Sequence, residues 1–458
     1  MRTNAFLKRL RRELPGWVER GWVRPGSERA ILEQAAAQDA GGPRYLAAAL
    51  AVLGALLLGS GVISFFAANW GVIPKLGKLA ILFGGMWAAY GVAYFSERRD
   101  APQLAPALLL LGVILFGANI WLIAQVYHIE AHYPDGVLLW ALGALLAGWL
   151  LASQAALIAA LALAALWTGM EAYGFERAIH WPFFLVWAPC LLLGYRHGWR
   201  PALHVAAIAL LLWCWNTFVS VGVFGHDWPA GSRVYLVQLY LLLFLALYIL
   251  GRAMAWYPRF ADYSGMVHNY AAVAAMSSLY LLTSPHFQED ARWGRIAEVT
   301  RDPAGLWWLG LTAAAAALVA ALVYWRYHDT DLKELPRYRR LGLALLAIVL
   351  AALIANLFVG GEYTGSMTVG FNLLFFSGVV WLIYTGIDRG ERFMVNLAFT
   401  FFALGLLARY FDTFWTLLNR SFFFMAGGLL LIAGGYTLER QRRRLTARIA
   451  AGRPEGGA

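Results

Sequence analysis

Charged residues are scarce in this chain, and cysteine is almost missing. Only 14% of the 458 residues are Asp, Glu, Lys or Arg, whereas 61% are hydrophobic and the mean hydropathy is +0.59. A soluble domain averages about 25% charged residues and needs polar groups to cover its surface. The two cysteines, Cys190 and Cys214, both lie in apolar runs and make no disulfide framework. The composition therefore excludes an ordinary soluble protein and a disulfide-rich secreted one.

Signal-peptide and barrel patterns are missing as well. The first 44 residues hold no apolar core of signal-peptide length, so we expect the first span to direct insertion. No segment alternates like the strands of an outer-membrane barrel. Apolar runs of roughly 17–25 residues, enough to cross about 30 Å of hydrocarbon, recur instead. They lie near residues 45–68, 76–95, 104–126, 136–151, 154–170, 181–195, 201–223, 234–250, 266–283, 305–325, 341–359, 368–387, 393–410 and 421–438. The predicted fold class is all-α, a polytopic transmembrane helix bundle of about fourteen spans.

The distribution of positive charge predicts the topology. Cytoplasmic loops are rich in Lys and Arg. With both termini inside, most of the 37 Lys and Arg residues fall in segments on the cytoplasmic side, including "GRAMAWYPRF", "RYHDTDLKELPRYRR" and "DRGER". The runs 136–151 and 154–170 are separated only by "ASQ", yet fusing them would destroy the alternation. The net charge of +11 is thus explained by topology, and we expect no nucleic-acid partner.

Four regions are predicted along the chain. Residues 1–44 form a basic, amphipathic cytosolic segment, a short helical hairpin whose second helix begins at an N-cap, Ser27. Residues 45–170 form an N-terminal membrane unit of about five spans, and residues 171–438 a C-terminal unit of about nine. Residues 439–458 are a basic cytosolic tail.

The stretch "FGANIWLIAQVYHIEAHYPDG" holds the first candidate binding residues: Asn119, Gln125, Tyr127 and His128. Polar side chains within spans are costly and usually face the bundle interior or a cavity. His128 and His132 have the i, i+4 spacing of metal ligands, but "HIEAH" is not the H-E-x-x-H signature and no third ligand is evident nearby in the sequence. Pro134 also predicts that the helix ends by about residue 133. We therefore predict no metal site, and leave open a cavity-facing site or a hydrogen-bonded interfacial cap.

Two further pairs of residues complete the candidate set. Asn69 and Trp70 follow the first span, where they are interpreted either as an interface anchor or as neighbours of the first group. Arg409 and Asp412 have the i, i+3 spacing of a local ion pair. This pair is interpreted either as a structural clamp or as a cation site for an anionic substrate.

One part of the chain resembles a known family. The segments "GWVERGWV", "NWGVIPKLGKLAILF", "LLLLGVILFGANIWLIAQVYHIEAHYPDGVLLWAL" and "SQAALIAALALAALW", over about residues 15–170, resemble the bacterial domain-of-unknown-function 2157 family of multi-pass membrane proteins. The resemblance includes a "GAN…QxYH…W" pattern ending at Trp140, and "RYFDTFW" before the last span is similar to the end of such proteins. It implies a protein of the bacterial cytoplasmic (inner) membrane and assigns no catalytic residue.

The sequence bears on three classes of function: a carrier, a scaffold or sensor, and an enzyme. Many spans, small soluble portions and scattered intramembrane polar groups favour a transporter or flippase-like carrier for a small-molecule or lipid substrate, although no internal repeat is evident. The alternative is a membrane scaffold or sensor that acts through residues 1–44. An embedded enzyme has no motif in its favour, since H-E-x-x-H, G-x-S-x-G and the P-loop are all missing from the sequence. We expect no cofactor, and the lipid bilayer is the one partner that the sequence defines; it assigns no oligomeric state.

Overall fold

The computed structural model describes most of the membrane-embedded chain. The described residues are 14–24, 26–28, 30–32, scattered positions between 50 and 68, 74–98, 104–129, 132–223, 232–285, 287, 303–331, 333–358, 364–414, and 428, 434 and 436. Within them, residues 14–19 are helical, and the Ile31 N–H donates to the Ser27 carbonyl, so a second short helix begins at the predicted N-cap. The candidates Asn69 and Trp70 lie outside the described residues.

Long helices make up most of the rest of the described chain. They are α1 (Lys75–Arg98), α2 (Ala105–Tyr127), α3 (Tyr133–Leu150), α4 (Gln154–Gly174), α5 (Phe183–Arg196), α6 (Arg200–Val223), α7 (Ser232–Met254), α8 (Ala261–Leu282), α9 (Pro303–Tyr327), α10 (Arg337–Phe358), α11 (Thr364–Asp388) and α12 (Arg392–Phe414). Each coincides with one predicted apolar run. The runs 45–68 and 421–438 are described only at isolated positions, all of them helical.

Ten of these helices are long and apolar enough to cross a membrane. Among the described helices, α5 is apolar but short, with 14 residues, and α8 is not one of the ten because its sequence is richer in polar groups. The all-α membrane class is therefore confirmed. The finer expectations, about fourteen spans with both termini inside, stay predictions.

The helices form two compact units. The first unit comprises residues 1–167 and 182–206, and the second comprises residues 168–181 and 207–458. Helices α1, α2, α3 and α5 thus belong to the first unit and α7 to α12 to the second, while α4 and α6 each contribute to both. The predicted domain boundaries at residues 44, 170 and 438 stay predictions.

Aromatic rings that lie on glycines hold the first unit together. A Cβ on Gly112 of α2 would lie 2.6 Å from Cε1 of the Tyr90 ring, and a Cβ on Gly143 of α3 would lie 2.7 Å from Cδ1 of Phe116. Lipid tails are as apolar as leucine, so helices in a bilayer associate through close packing at small residues. The glycines therefore supply the recesses into which the neighbouring helices fit their rings.

The break between α3 and α4 confirms that "ASQ" separates two helices. Ala152 takes a positive φ of 47°, which ends α3, and the Ser153 Oγ accepts a hydrogen bond from the Ala156 N–H at the start of α4. A Cβ on Gly148 would lie 3.2 Å from the Leu157 backbone nitrogen. The chain therefore reverses within three residues, and the two helices approach closely at once.

The second unit is built around α7 and α8. These helices touch at Gly251, where a Cβ would lie 2.8 Å from the His268 backbone nitrogen. Helix α9 also packs on α7, whereas α11 and α12 pack on each other and on α8, and α10 packs on α11. The apolar core among them includes Leu242, Leu282 and Phe375. This arrangement brings the C-terminal ends of α7, α9 and α11 together with the starts of α8, α10 and α12.

Candidate functional site

Three helix connections that the charge distribution predicts to be cytoplasmic lie around one cavity in the second unit. They are the α7–α8, α9–α10 and α11–α12 connections, and together with the helix ends beside them they contribute Arg252, Arg326, Tyr338, Arg389 and Glu391 to its wall. The cavity has a volume of about 400 Å³. That size falls in the range of small-molecule sites, roughly 300–1,000 Å³.

An ion pair with a histidine forms one side of the cavity. Arg252 Nη1 donates to Glu391 Oε1 at 2.7 Å and lies 3.1 Å from His268 Nε2. The His268 Nδ1 is 2.6 Å from the Ser264 carbonyl, which can only accept, so Nδ1 carries the proton and Nε2 accepts from Arg252. The second carboxylate oxygen, Glu391 Oε2, is buried and accepts no hydrogen bond within the described part of the chain. This oxygen keeps its acceptor capacity.

Tyr338 supports two further arginines. Its hydroxyl accepts hydrogen bonds from Arg339 Nε at 3.1 Å and from Arg389 Nε at 3.3 Å, and its backbone carbonyl accepts one from Trp381 Nε1 at 3.0 Å. Arg389 also lies over the Tyr338 ring, 5.4 Å from its centroid. The tyrosine thereby holds two guanidinium groups at the rim, the charged end of the cavity. Each uses Nε in these bonds, and the Arg389 Nη1 also lies 3.7 Å from Glu391 Oε1.

A fourth arginine, Arg326, lies against two aromatic rings, Trp256 and, 4.9 Å from its centroid, Tyr327. The Arg326 guanidinium lies 3.4 Å from the centroid of the Trp256 ring, a cation–π contact at the rim. Among the described residues, Arg326 makes no ion pair. Its N–H groups are therefore available for an anion.

Behind the charged rim the cavity is apolar. Its inner wall is formed by aliphatic and small residues of α7, α8, α10 and α11, including Leu241, Leu279, Val349 and Leu374. Polar side chains also line the cavity, among them Tyr248, Ser264 and His268. The Thr385 Oγ1 is buried and has no hydrogen-bond partner in the described chain, which is uncommon for a buried polar group.

The residues predicted from "FGANIWLIAQVYHIEAH" do not converge on one point. Asn119 is buried, and its Nδ2 lies 3.7 Å from Met86 Sδ, while its Oδ1 has no hydrogen-bond partner within the described residues. Gln125, Tyr127 and His128 are exposed at the end of α2. The helix ends at Tyr127, before the predicted limit near residue 133, because His128 takes the left-handed conformation with φ of 51°. His128 and His132 are therefore not i, i+4 neighbours on one helix.

The rest of that sequence pattern has a packing role. A Cβ on Gly117 would overlap the Trp140 indole, lying 2.6 Å from Cζ2 and closer still to Cε2. The Trp140 Nε1 donates to the Val113 carbonyl at 2.8 Å. Gly117 and Trp140 thus join α2 to α3.

The Arg409–Asp412 pair lies at the other end of the second unit. Arg409 Nη2 is 2.8 Å from Asp412 Oδ2, and Nη1 donates to the Thr283 carbonyl at 2.9 Å. Asn372 Nδ2 donates to the same carbonyl at 3.1 Å. Because Thr283 follows the last residue of α8, the guanidinium stabilises the negative end of that helix. This geometry agrees with a structural clamp, and the binding role stays a prediction.

A second polar cluster follows α4 in the same unit. Arg177 Nε lies 3.0 Å from the buried Glu171 carboxylate, and the Trp213 Nε1 donates to the His180 carbonyl at 2.8 Å. The His180 Nδ1 lies 3.2 Å from Thr168 Oγ1. Burial lowers the pKa of His180 to about 4, with the nearby Glu171 raising it and Arg177 lowering it. The cluster anchors the segment between α4 and α5.

Sequence reasoning missed the cavity because its residues are far apart in the chain. In the sequence, the arginines of these loops indicate only the topology. Whether they lie close together depends on how the helices α7 to α12 pack. Two local signals were present: Glu391 lies between two arginines in "DRGER", and His268 is an ionisable group near the start of a span.

The helices and the buried polar groups together define a polytopic α-helical membrane protein. Residues 15–157 match the model of a family described as predicted membrane protein, domain of unknown function 2157. The resemblance inferred from the sequence is thereby confirmed for this segment. No curated protein and no solved structure matches the chain.

Proposed function

We propose that the protein is a flippase-like carrier of amphiphilic molecules in the bacterial cytoplasmic membrane, and that its second unit holds the cargo. The observation that carries the proposal is the cavity itself, with an arginine-rich rim and an apolar interior. Ligand sites in helix bundles are commonly built between helices in this way, with a few polar groups fixing orientation.

The proposal places the rim at the cytoplasmic face, since its three loops are rich in arginine. Cysteine labelling tests this orientation. Lys333→Cys, in the exposed α9–α10 loop, should react with an impermeant maleimide only after spheroplasts are lysed. Glu176→Cys, in the exposed segment after α4, should react in intact spheroplasts. The reverse pattern would place the rim outside.

Transport is tested by blocking the cavity. Gly378 of α11 lines it, and a Cβ there would meet only Met276 Sδ at 3.7 Å and Leu279 at 3.9 Å. Gly378→Leu should therefore enter the open space without displacing backbone. Gly370→Leu on the same helix is the matched control, because a Cβ there meets nothing within 4 Å.

Both variants are reconstituted in liposomes with fluorescent lipids, and translocation is followed by quenching of the outer leaflet. We expect wild type and Gly370→Leu to move lipid and Gly378→Leu to lose most of that activity. The carrier would be refuted if lipid moved at equal rates with all three proteins. It would also be refuted if wild type moved lipid no faster than protein-free liposomes do.

A further inference from the structure

The dimensions of the cavity match one leaflet of a bilayer. On α7 its lining spans residues 241–252, about 16 Å of helix at roughly 1.5 Å per residue. On α10 it spans residues 338–349, also about 16 Å. The hydrocarbon core of a bilayer is about 30 Å thick, so each leaflet contributes about half of that. An acyl chain that enters from the rim would therefore reach the apolar end of the cavity with its headgroup still among the arginines.

The charge of the rim selects the headgroup. The described residues that line the cavity include four arginines and one carboxylate. The arginines are Arg252, Arg326, Arg339 and Arg389, and the carboxylate is Glu391. The planar guanidinium, with five donors, binds phosphate in a bidentate manner. The excess of positive charge favours an anion. Among the described residues, Arg252 and Arg389 pair with Glu391, whereas Arg326 and Arg339 pair with no carboxylate.

Two other classes of ligand fit less well. A soluble anion would satisfy the rim but would leave the deep apolar wall formed by Leu241 and Leu279 without contacts. A zwitterionic choline lipid carries a cation that prefers an exposed aromatic face, and the face of Trp256 is already covered by Arg326.

We infer that the cavity of the second unit binds an anionic membrane phospholipid, with an acyl chain along the apolar wall and the phosphate between Arg326 and Arg339. This inference rests on the proposed function, because it names the molecule that the carrier would move. The inference itself states only which lipid the cavity binds. Thr385 Oγ1, buried and without a partner in the described chain, lies on the wall of this site.

The test measures lipid binding to the purified full-length chain in detergent by native mass spectrometry. Phosphatidylglycerol and phosphatidylcholine with identical acyl chains are titrated separately, and inorganic phosphate is added as a competitor. We expect phosphatidylglycerol to bind at least tenfold more tightly, and millimolar phosphate to displace little of it. Equal affinities would overturn the inference, as would full displacement by phosphate, which would indicate a headgroup site without a chain.

Four variants locate the site. Arg326→Gln and Arg339→Gln should each weaken phosphatidylglycerol binding about tenfold, the loss expected for one charge-assisted contact. Arg337→Gln is the matched control, since Arg337 is exposed at the start of α10 and does not line the cavity. Gly378→Leu should abolish binding of the lipid. Melting temperatures confirm that each variant folds.

If Arg326→Gln and Arg337→Gln behave alike, the site assignment is wrong. The two proposals fail separately. Lipid flux without a preference for phosphatidylglycerol would overturn this inference and retain the carrier. A preference without flux would retain the site and remove the carrier.

Discussion

Replacing Gly117 by alanine is the sharpest test of how the first unit is assembled. The new Cβ would lie 2.6 Å from the Trp140 Cζ2 and closer to Cε2, far inside the contact distance of two carbons. The indole cannot stay in place. When it moves, the Trp140 Nε1 also loses its hydrogen bond to the Val113 carbonyl, now 2.8 Å long.

The expected cost follows from three contributions. Overpacking of a filled interface costs roughly 1–3 kcal/mol. Loss of the indole hydrogen bond costs about 1 kcal/mol. The higher helix propensity of alanine returns about 1 kcal/mol. We therefore expect Gly117→Ala to lower the free energy of unfolding by about 1–3 kcal/mol, the sum of these three contributions.

The assay is reversible unfolding by SDS in mixed micelles, followed by circular dichroism. Gly84→Ala on α1 is the control, because a Cβ there meets nothing within 4 Å, and it should be neutral or stabilising. In a Trp140→Ala background the ring is gone, so Gly117→Ala should cost almost nothing. Equal stability of the Gly117 and Gly84 variants, or additive effects with Trp140→Ala, would refute the reasoning.

Three further predictions concern the second unit. Gly251→Ala places a Cβ 2.8 Å from a backbone nitrogen of α8, which cannot rotate away. The SDS titration should therefore show a free energy of unfolding lower by about 2–3 kcal/mol. Gly265→Ala is the control and should show no loss, because its Cβ meets nothing within 4 Å. Burial lowers the pKa of His180 to about 4, so on acidification the unfolded chain binds a proton first, near pH 6.5. Stability therefore falls as pH drops from about 6.5 towards 4. In His180→Gln the difference between the melting temperatures at pH 7.5 and pH 5 should be smaller than in wild type. Arg409→Met breaks the contact with Asp412 and should lower the melting temperature without changing lipid flux per folded molecule; lost flux at full stability would make Arg409 a binding residue.

The helices could be predicted from sequence because each depends on local composition. An apolar run between polar breaks is enough to locate a span, and even the three residues between α3 and α4 were sufficient, since Ser153 caps the second helix. The Arg409–Asp412 ion pair was equally local, being i, i+3 on one helix. These features needed no knowledge of which helices are neighbours.

The candidate site could not be predicted in the same way. Arg252 and Glu391 are far apart in the chain, and their contact exists only because the ends of α7 and α11 meet. The concentration of polar residues around Gln125 and His128 was the stronger signal in sequence. However, these side chains are exposed where α2 ends, and only Asn119 is buried. Density of polar residues along a chain does not report whether they converge in space.

The family match ends at residue 157, whereas the cavity is lined by residues between 241 and 391. The part of the chain that matches the family packs glycines against aromatic rings, as at Gly117 and Trp140, and it contributes no residue to the lining of this cavity. A relative could keep the matched segment intact and carry a different molecule by changing a few arginines further along. Ligand screens across such proteins should therefore be grouped by the sequence of α7 to α12, not by the segment through which the proteins are recognised.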